Sequence, residues 1–325
     1  MQKLLEQVAA HLNINIAEIR VESIHHGSLQ KHNVCRLRIG TDNFLLKQHD
    51  ITAQVPQTSF TPFQIERHTI SILYNGGLCV PRMIWDFEQH NALLLEWCGN
   101  QTLDSLTQRS SKADLIPLLN TILFEMCRFE VFFAKHSTHF QSYVFNYDHQ
   151  KHLKHLLEQG RKTINYLEHL RKTPHIETQK KQIDAAWTSL SNRLLEATPT
   201  LDSLDYQAHN IVIDRELPTF IDFGSIGWDW QERRLVQYFN SIGAHQEGAN
   251  FVSLLNRELV ETYAEWVAQH RDNVKVADVS AHVDAHHLLF YLTIVHRILE
   301  AVARPEVLEN KTLIQGWDNM RSRLQ

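Results

Sequence analysis

Glycine is scarce in this chain, with 11 in 325 residues. The first predicted turn between strands holds only one, Gly27, and a lone glycine in a turn is a weak signal for a phosphate-cradling loop. Cysteine is scarcer still. The four cysteines, Cys35, Cys79, Cys98 and Cys127, are widely spaced and form no Cys-x-x-Cys pair. That argues against a zinc ribbon or a disulfide framework and for reduced thiols in a cytoplasmic compartment. No apolar run approaches the length of a membrane span, so no membrane partner is expected. Glu6, inside an amphipathic N-terminal pattern, argues against a signal peptide. An excess of positive charge is missing too: 32 Lys and Arg against 37 Asp and Glu give a formal net charge of −5, which argues against a general nucleic-acid binder. Neither an internal repeat nor a low-complexity tract interrupts the chain.

What is present suits a globular fold of one large or two small domains, since 43% of the residues are hydrophobic. Leu4, Leu5, Val8 and Leu12 recur at helical spacing, and a short helical turn over 16–19 follows. Residues 21–26, 34–39 and 44–47 read as strands, the last ending in Lys47, with Gly40-Thr41-Asp42-Asn43 as a hairpin turn. Thr61-Pro62 opens a helix in the favoured way. That helix passes Glu66 and stops at Asn75-Gly76-Gly77. Two more strands are expected over 80–86 and 92–96. Trp97-Cys98-Gly99-Asn100 breaks the pattern, and beyond it 115–135, 151–170 and 178–195 have helical periodicity. Later helices are expected over 233–242, 251–269, 282–303 and 308–324, with a break at Arg304-Pro305.

The stretch 204–224 differs from its helical surroundings. Two apolar runs, 211–213 and 220–221, flank polar residues 214–219, which reads as a β-hairpin with a proline-containing turn. A hairpin brings its ends together, so Asn210 and Asp222 should meet, and Asp205 is near enough in sequence to reach the same point. Two carboxylates and an amide at one place suit a hard cation such as Mg²⁺ together with an anionic substrate, the arrangement phosphoryl transfer needs. Each residue alone has a plainer reading. Asp205 suits a turn, Lys47 and Glu66 suit a surface pair, and Asp222-Phe223-Gly224 suits a strand end.

Taken in order, Gly27-Ser28-Leu29, Lys47, Glu66, the strand Leu93-Leu94-Leu95-Glu96-Trp97, the Asp205-x-x-x-x-Asn210 loop and Asp222-Phe223-Gly224 resemble the aminoglycoside phosphotransferase and choline kinase family. The resemblance spans nearly the whole chain. It implies an α+β, bilobal protein-kinase-like fold, with a small β-rich lobe over 1–97 and a helical lobe over 98–325. It also implies ATP as co-substrate, Mg²⁺ as cofactor and a small-molecule hydroxyl as acceptor. Asp205 would be the catalytic base. Asn210 and Asp222 would hold the metal, and Lys47, oriented by Glu66, would hold the phosphates. Gly27 and Ser28 would cover those phosphates, and the main chain at Glu96 and Cys98 would meet adenine. No Ala-Pro-Glu segment follows Asp222, which argues against a protein substrate.

The chain departs from the family pattern at two supports of the catalytic loop. Ser203-Leu204 replaces His-Gly, and Arg234 stands where an aspartate normally ties the loop down. These departures leave a second reading, a catalytically impaired kinase-like nucleotide-binding or regulatory module, and a third in which the fold transfers another group. For the acceptor, Trp228, Asp229 and Tyr238, with Tyr263 and Trp266, offer aromatic faces and a carboxylate suited to a cation such as an amino alcohol or aminoglycoside; they equally suit helix-packing core. His282 and His286 lie four apart on one helix, but no third metal ligand is evident. Oligomeric state is not legible.

Overall fold

Five antiparallel strands in the order β1-β2-β3-β5-β4 form the first sheet: β1 (Ile19–Ser23), β2 (His32–Ile39), β3 (Asp42–His49), β4 (Met83–Phe87) and β5 (Ala92–Glu96). The computed structural model describes residues 1–24, 32–50, 60–145, 148–170, 177–241, 252–271 and 273–303. Gly27, Ser28 and the helix expected over 308–324 lie outside them. Strand side chains alternate between faces, and β5 uses both. Leu94 joins Leu4 and Val8 of α1 (Gln2–Leu12) on one face, while Leu93 and Leu95 join Phe63, Ile65 and Ile70 of α2 (Pro62–Asn75) on the other. The same alternation on β3 sends Leu46 to the α1 side and Lys47 to the α2 side.

The start of α2 is written in its first four residues. Thr61 Oγ1 accepts from Gln64 N at 3.3 Å and Gln64 Oε1 accepts from Thr61 N at 2.9 Å, a capping box with Pro62 in the first turn. Its end is packed too tightly for a side chain, since a Cβ on Gly76 would lie 2.2 Å from the Phe132 ring. Phe132 belongs to α4 (Lys112–Lys135), which follows β6 (Gln101–Thr102) and α3 (Leu103–Thr107). The core between α2 and β5 thereby continues into the helical part of the molecule.

That larger part contains α5 (Ser137–Phe140), α6 (His149–Leu170), α7 (Glu177–Glu196), α8 (Gln231–Tyr238), α9 (Arg257–His270) and α10 (Val276–Ala303). No helix among the described residues is long and apolar enough to cross a membrane. Three small antiparallel sheets are set among the helices. One has the order β6-β8-β9, with β8 (Ile211–Asp214) and β9 (Leu217–Phe220) forming the expected hairpin; a second pairs β7 (Thr200–Ser203) with β10 (Ile226–Asp229), and a third pairs the two-residue strands β11 (Asn240–Ser241) and β12 (Val252–Ser253).

The hairpin's turn is not the proline-containing one read from the sequence. Pro218 lies within β9, opposite Ile213, and β9 is an edge strand, where the missing N–H costs no ladder bond. The chain reverses at Arg215 (φ 48°) and Glu216 (φ 68°). Two successive left-handed residues are what a tight two-residue hairpin needs, and Asn-Gly adopts them at least cost. Replacing Arg215-Glu216 with Asn-Gly is therefore expected to stabilise the chain by about 1 kcal/mol, read as a higher midpoint in urea unfolding at unchanged slope.

Candidate active site

Lys47 Nζ lies 2.8 and 2.9 Å from the two carboxylate oxygens of Glu66 and 2.7 Å from Asp222 Oδ1. Lys47 and Glu66 are both buried, and His49 Nε2 approaches Glu66 Oε2 at 2.8 Å. Register explains the meeting. Lys47 pairs with Leu93 in the sheet and points to the α2 side, where Glu66 shares the inward stripe of α2 with Phe63 and Ile70. Burial alone would lower the lysine pKa, but the Asp222 and Glu66 carboxylates outweigh it and hold it above the ordinary value. Burial likewise opposes charge on Glu66, and Lys47 with His49 still draws its pKa down to about 2.

Asp222 follows β9 and is held with φ 67°, a left-handed backbone that a non-glycine residue keeps only when its surroundings fix it. On the near side of the hairpin, the Asn210 amide donates from Nδ2 to the Asp205 carbonyl at 2.9 Å. That leaves Asn210 Oδ1 as its free acceptor face. Asp205 Oδ1 accepts from Gln207 Nε2 at 3.1 Å. Burial, and then the neighbouring Asp222 carboxylate, raise the Asp205 pKa.

Two cavities meet at this loop. A cleft of about 530 Å³ is lined by Lys47, Glu66, Glu96, Cys98, Asn210 and Asp222 among others. A second cavity of about 220 Å³ lies between the loop and helices α8 and α10. Among the described residues, Asp205 is the one that lines both. At the cleft's edge Arg36 lies over the Trp97 ring, 4.6 Å from its centroid. Cys98 Sγ approaches the Glu96 carbonyl at 3.6 Å, and burial pushes the Cys98 thiol up to about 12.

No protein-family model and no curated protein matches the chain. Solved structures do. A choline kinase from Cryptosporidium parvum is 12% identical, with a TM-score of 0.58 over 100% of this chain and 94% of that one. A choline kinase from Streptococcus pneumoniae is 12% identical, with a TM-score of 0.53 over 99% and 98% of the two chains. A spectinomycin phosphotransferase in complex with ADP and spectinomycin is 12% identical, with a TM-score of 0.55 over 98% and 93%. The chain has the protein-kinase-like fold.

Ser203 and Arg234, beside the Asp205 loop, have visible partners. Ser203 Oγ accepts from Asp205 N at 3.2 Å, closing a turn over the loop's first residues. Arg234 is 1% exposed. Its Nε donates to the Ser203 carbonyl at 3.0 Å, and its Nη2 donates to the carbonyls of Thr200 and Gly227 at 3.1 and 3.0 Å. Its Nη1 reaches Thr200 Oγ1 at 2.9 Å and the Asp229 carbonyl at 3.2 Å. A donor fork thus binds the loop through carbonyls. Gly227 belongs to the same arrangement, because a Cβ there would sit 2.7 Å from Leu204 Cδ1.

The cation-binding wall expected from Trp228, Asp229 and Tyr238 is not assembled. Strand alternation on β10 turns Trp228 outward, 41% exposed and outside both cavities, and turns Asp229 inward, fully buried. Asp229 accepts from the Tyr206 hydroxyl, from Arg233 and from Trp230 N. Although burial opposes it, the Arg233 and Arg234 guanidiniums hold its pKa below the usual range. Tyr238 and Tyr263 are core residues, and Trp266 packs against the same core. His286 is buried, and the described residues contain no group of three or more His, Cys, Asp or Glu that could hold a metal. Arg233 and Arg297, which line the smaller cavity, were not singled out in the sequence. An arginine gives no local signal of where its side chain ends.

Replacing Arg234 with Met should leave the carbonyls of Ser203, Thr200 and Gly227 without these donors and lower stability by about 3–5 kcal/mol, measured by urea unfolding. Asp202 gives a pH signature. It is buried, and burial lifts its pKa to about 6 against the opposing pull of Arg234. The folded pKa exceeds the unfolded one, so the folded state binds the extra proton between about pH 4 and 6. Stability falls as pH rises through that window and is flat above it. Asp202→Asn keeps an acceptor for Ser203 N and should remove about 2 kcal/mol of that fall, read from unfolding curves at pH 4.5 and 7.5.

Proposed function

We propose that this protein is an ATP- and Mg²⁺-dependent O-phosphotransferase acting on a hydroxyl of a small molecule. One observation carries the reading: among the described residues, Asp205 alone lines both the cleft and the smaller cavity. A nucleotide in the cleft and an acceptor in the cavity would meet only there. The solved structures that share the fold are named as choline kinases and as a spectinomycin phosphotransferase bound to ADP.

The donor set fits the cation. Asp222 offers a carboxylate, and Asn210 offers Oδ1 because its amide hydrogens face the Asp205 carbonyl. Both are hard oxygen ligands, as Mg²⁺ prefers. Bound there, Mg²⁺ supplies charge that offsets the phosphates and the charge building on the moving group. Lys47 holds phosphate oxygens while Glu66 fixes the direction of the ammonium, so little side-chain freedom remains to be lost on binding. The main chain at Glu96 and Cys98 would meet adenine, and the sequence resemblance assigns Gly27 and Ser28, which lie outside the described residues, to the phosphates.

Asp205 orients the acceptor hydroxyl and accepts its proton. The acceptor oxygen forms its bond to the γ-phosphorus as the bond to the β–γ bridging oxygen breaks. ADP and a phosphate monoester result. The raised Asp205 pKa makes it a better proton acceptor than an ordinary aspartate, provided it is ionised at the working pH. Ser203 and Arg234 supply the loop's support in place of the family's histidine and aspartate, which favours an active enzyme over an impaired nucleotide-binding module. The cysteine usage suits a cytoplasmic setting.

The test is incubation with Mg-ATP and a library of hydroxyl compounds, with mass detection of one added phosphoryl group and of ADP. Asp205→Asn is expected to lower kcat about 10²–10⁴-fold while ATP affinity persists. Unchanged turnover in that variant would defeat the assigned mechanism.

A further inference from the structure

Among the described residues that line it, the smaller cavity holds two arginines and one carboxylate, Asp205. Besides Asp205, its ionisable lining side chains are Tyr206, Arg233, His286 and Arg297, with no second carboxylate among the described residues that line it. Arg233 is already paired with Asp229 behind the cavity wall. Arg297, on α10, has no carboxylate partner among the described residues. Burial and then the like charge of Arg233 lower its pKa, yet an arginine keeps its proton in a protein.

The remaining groups do not favour a cation either. His286 is 2% exposed, and burial takes its pKa down to about 3, so it is neutral near pH 7. Its Nε2 is buried and lacks a hydrogen-bond partner among the described residues. The Tyr206 ring already receives two protein cations, with the guanidinium carbons of Arg233 and Arg234 each 5.6 Å from its centroid. An ammonium group entering this cavity would meet like charge and no unclaimed tyrosine face.

We propose that the phosphate acceptor is a hydroxyl compound bearing an anionic group, a carboxylate or a phosphate, held by Arg297 with its hydroxyl at Asp205. The proposal rests on the phosphotransferase reading and reverses the charge that Trp228 and Asp229 suggested. Arginine binds both anions through two parallel N–H donors. The anion contributes to binding before the reaction and remains unchanged through it, so its effect belongs in KM.

Two matched sets test this with Mg-ATP: glucuronate, glucose 6-phosphate, glucose and glucosamine, and, on a smaller scaffold, glycerate, glycerol and 3-aminopropane-1,2-diol. The anionic members are expected to have the highest kcat/KM and the amines the lowest, and the two hexose anions distinguish a carboxylate from a phosphate. Arg297→Gln should raise KM for the preferred anion about 10- to 100-fold with little change in kcat, and Arg297→Lys should restore part of the loss. Preference for the amines overturns the proposal, as does an equal response across both sets, including none. So does an unchanged KM in a folded Arg297→Gln protein. Calorimetric titration of the wild type with Mg-ATP separates the two readings. Failure to bind nucleotide counts against the phosphotransferase itself, whereas tight binding with amine preference counts only against the anionic acceptor.

Discussion

The guanidinium of Arg234 is the interaction on which the rest of the site depends. It is buried at the point where β7, β10 and α8 converge, and it bonds to carbonyls on the two strands. Desolvating a cation is costly, and the fork recovers that cost only if its N–H groups find well-placed acceptors together. The strands therefore cannot shift independently. Ser203 ends one strand and leads into Asp205; Ile226 begins the other, opposite Ser203 in the register. Fixing that pair fixes the approach to the Asp205 loop from behind.

A second constraint acts from the front. Lys47 reaches Asp222 from the sheet while Glu66, itself approached by His49, flanks it. The ammonium has opposite charges on two sides in a buried setting, where water screens little. The ion cluster links β3, α2 and the segment after β9, elements far apart in the chain. The left-handed backbone at Asp222 is maintained in this company.

Much of this was legible in the sequence because the decisive groups sit at ends of elements with clear periodicity. Lys47 closes an apolar run, Glu66 falls on the buried stripe of a helix whose cap is spelled Thr-Pro, and Asn210 and Asp222 bracket a hairpin. What was not legible depends on long-range pairing. The four residues of β7 lie directly after a helix, and nothing local says that they pair with β10. Without that pairing, Asp229 reads as an exposed carboxylate between tryptophans, when strand alternation buries it under Tyr206 and Arg233. Pro218 signals a turn to any local rule, yet an edge strand accommodates it. The arginines of the smaller cavity come from α8 and α10, and only tertiary packing turns them toward Asp205.

The partition of space around Asp205 bears on the order of events. Because among the described residues only Asp205 lines both cavities, filling one leaves every other wall of the second untouched. On the proposed reaction, neither guest would have to leave before its companion enters, and the shape of the site would impose no sequence of arrival. Two occupants would be present at once and touch across a single carboxylate, so the protein itself would not have to carry any part of one over to the other.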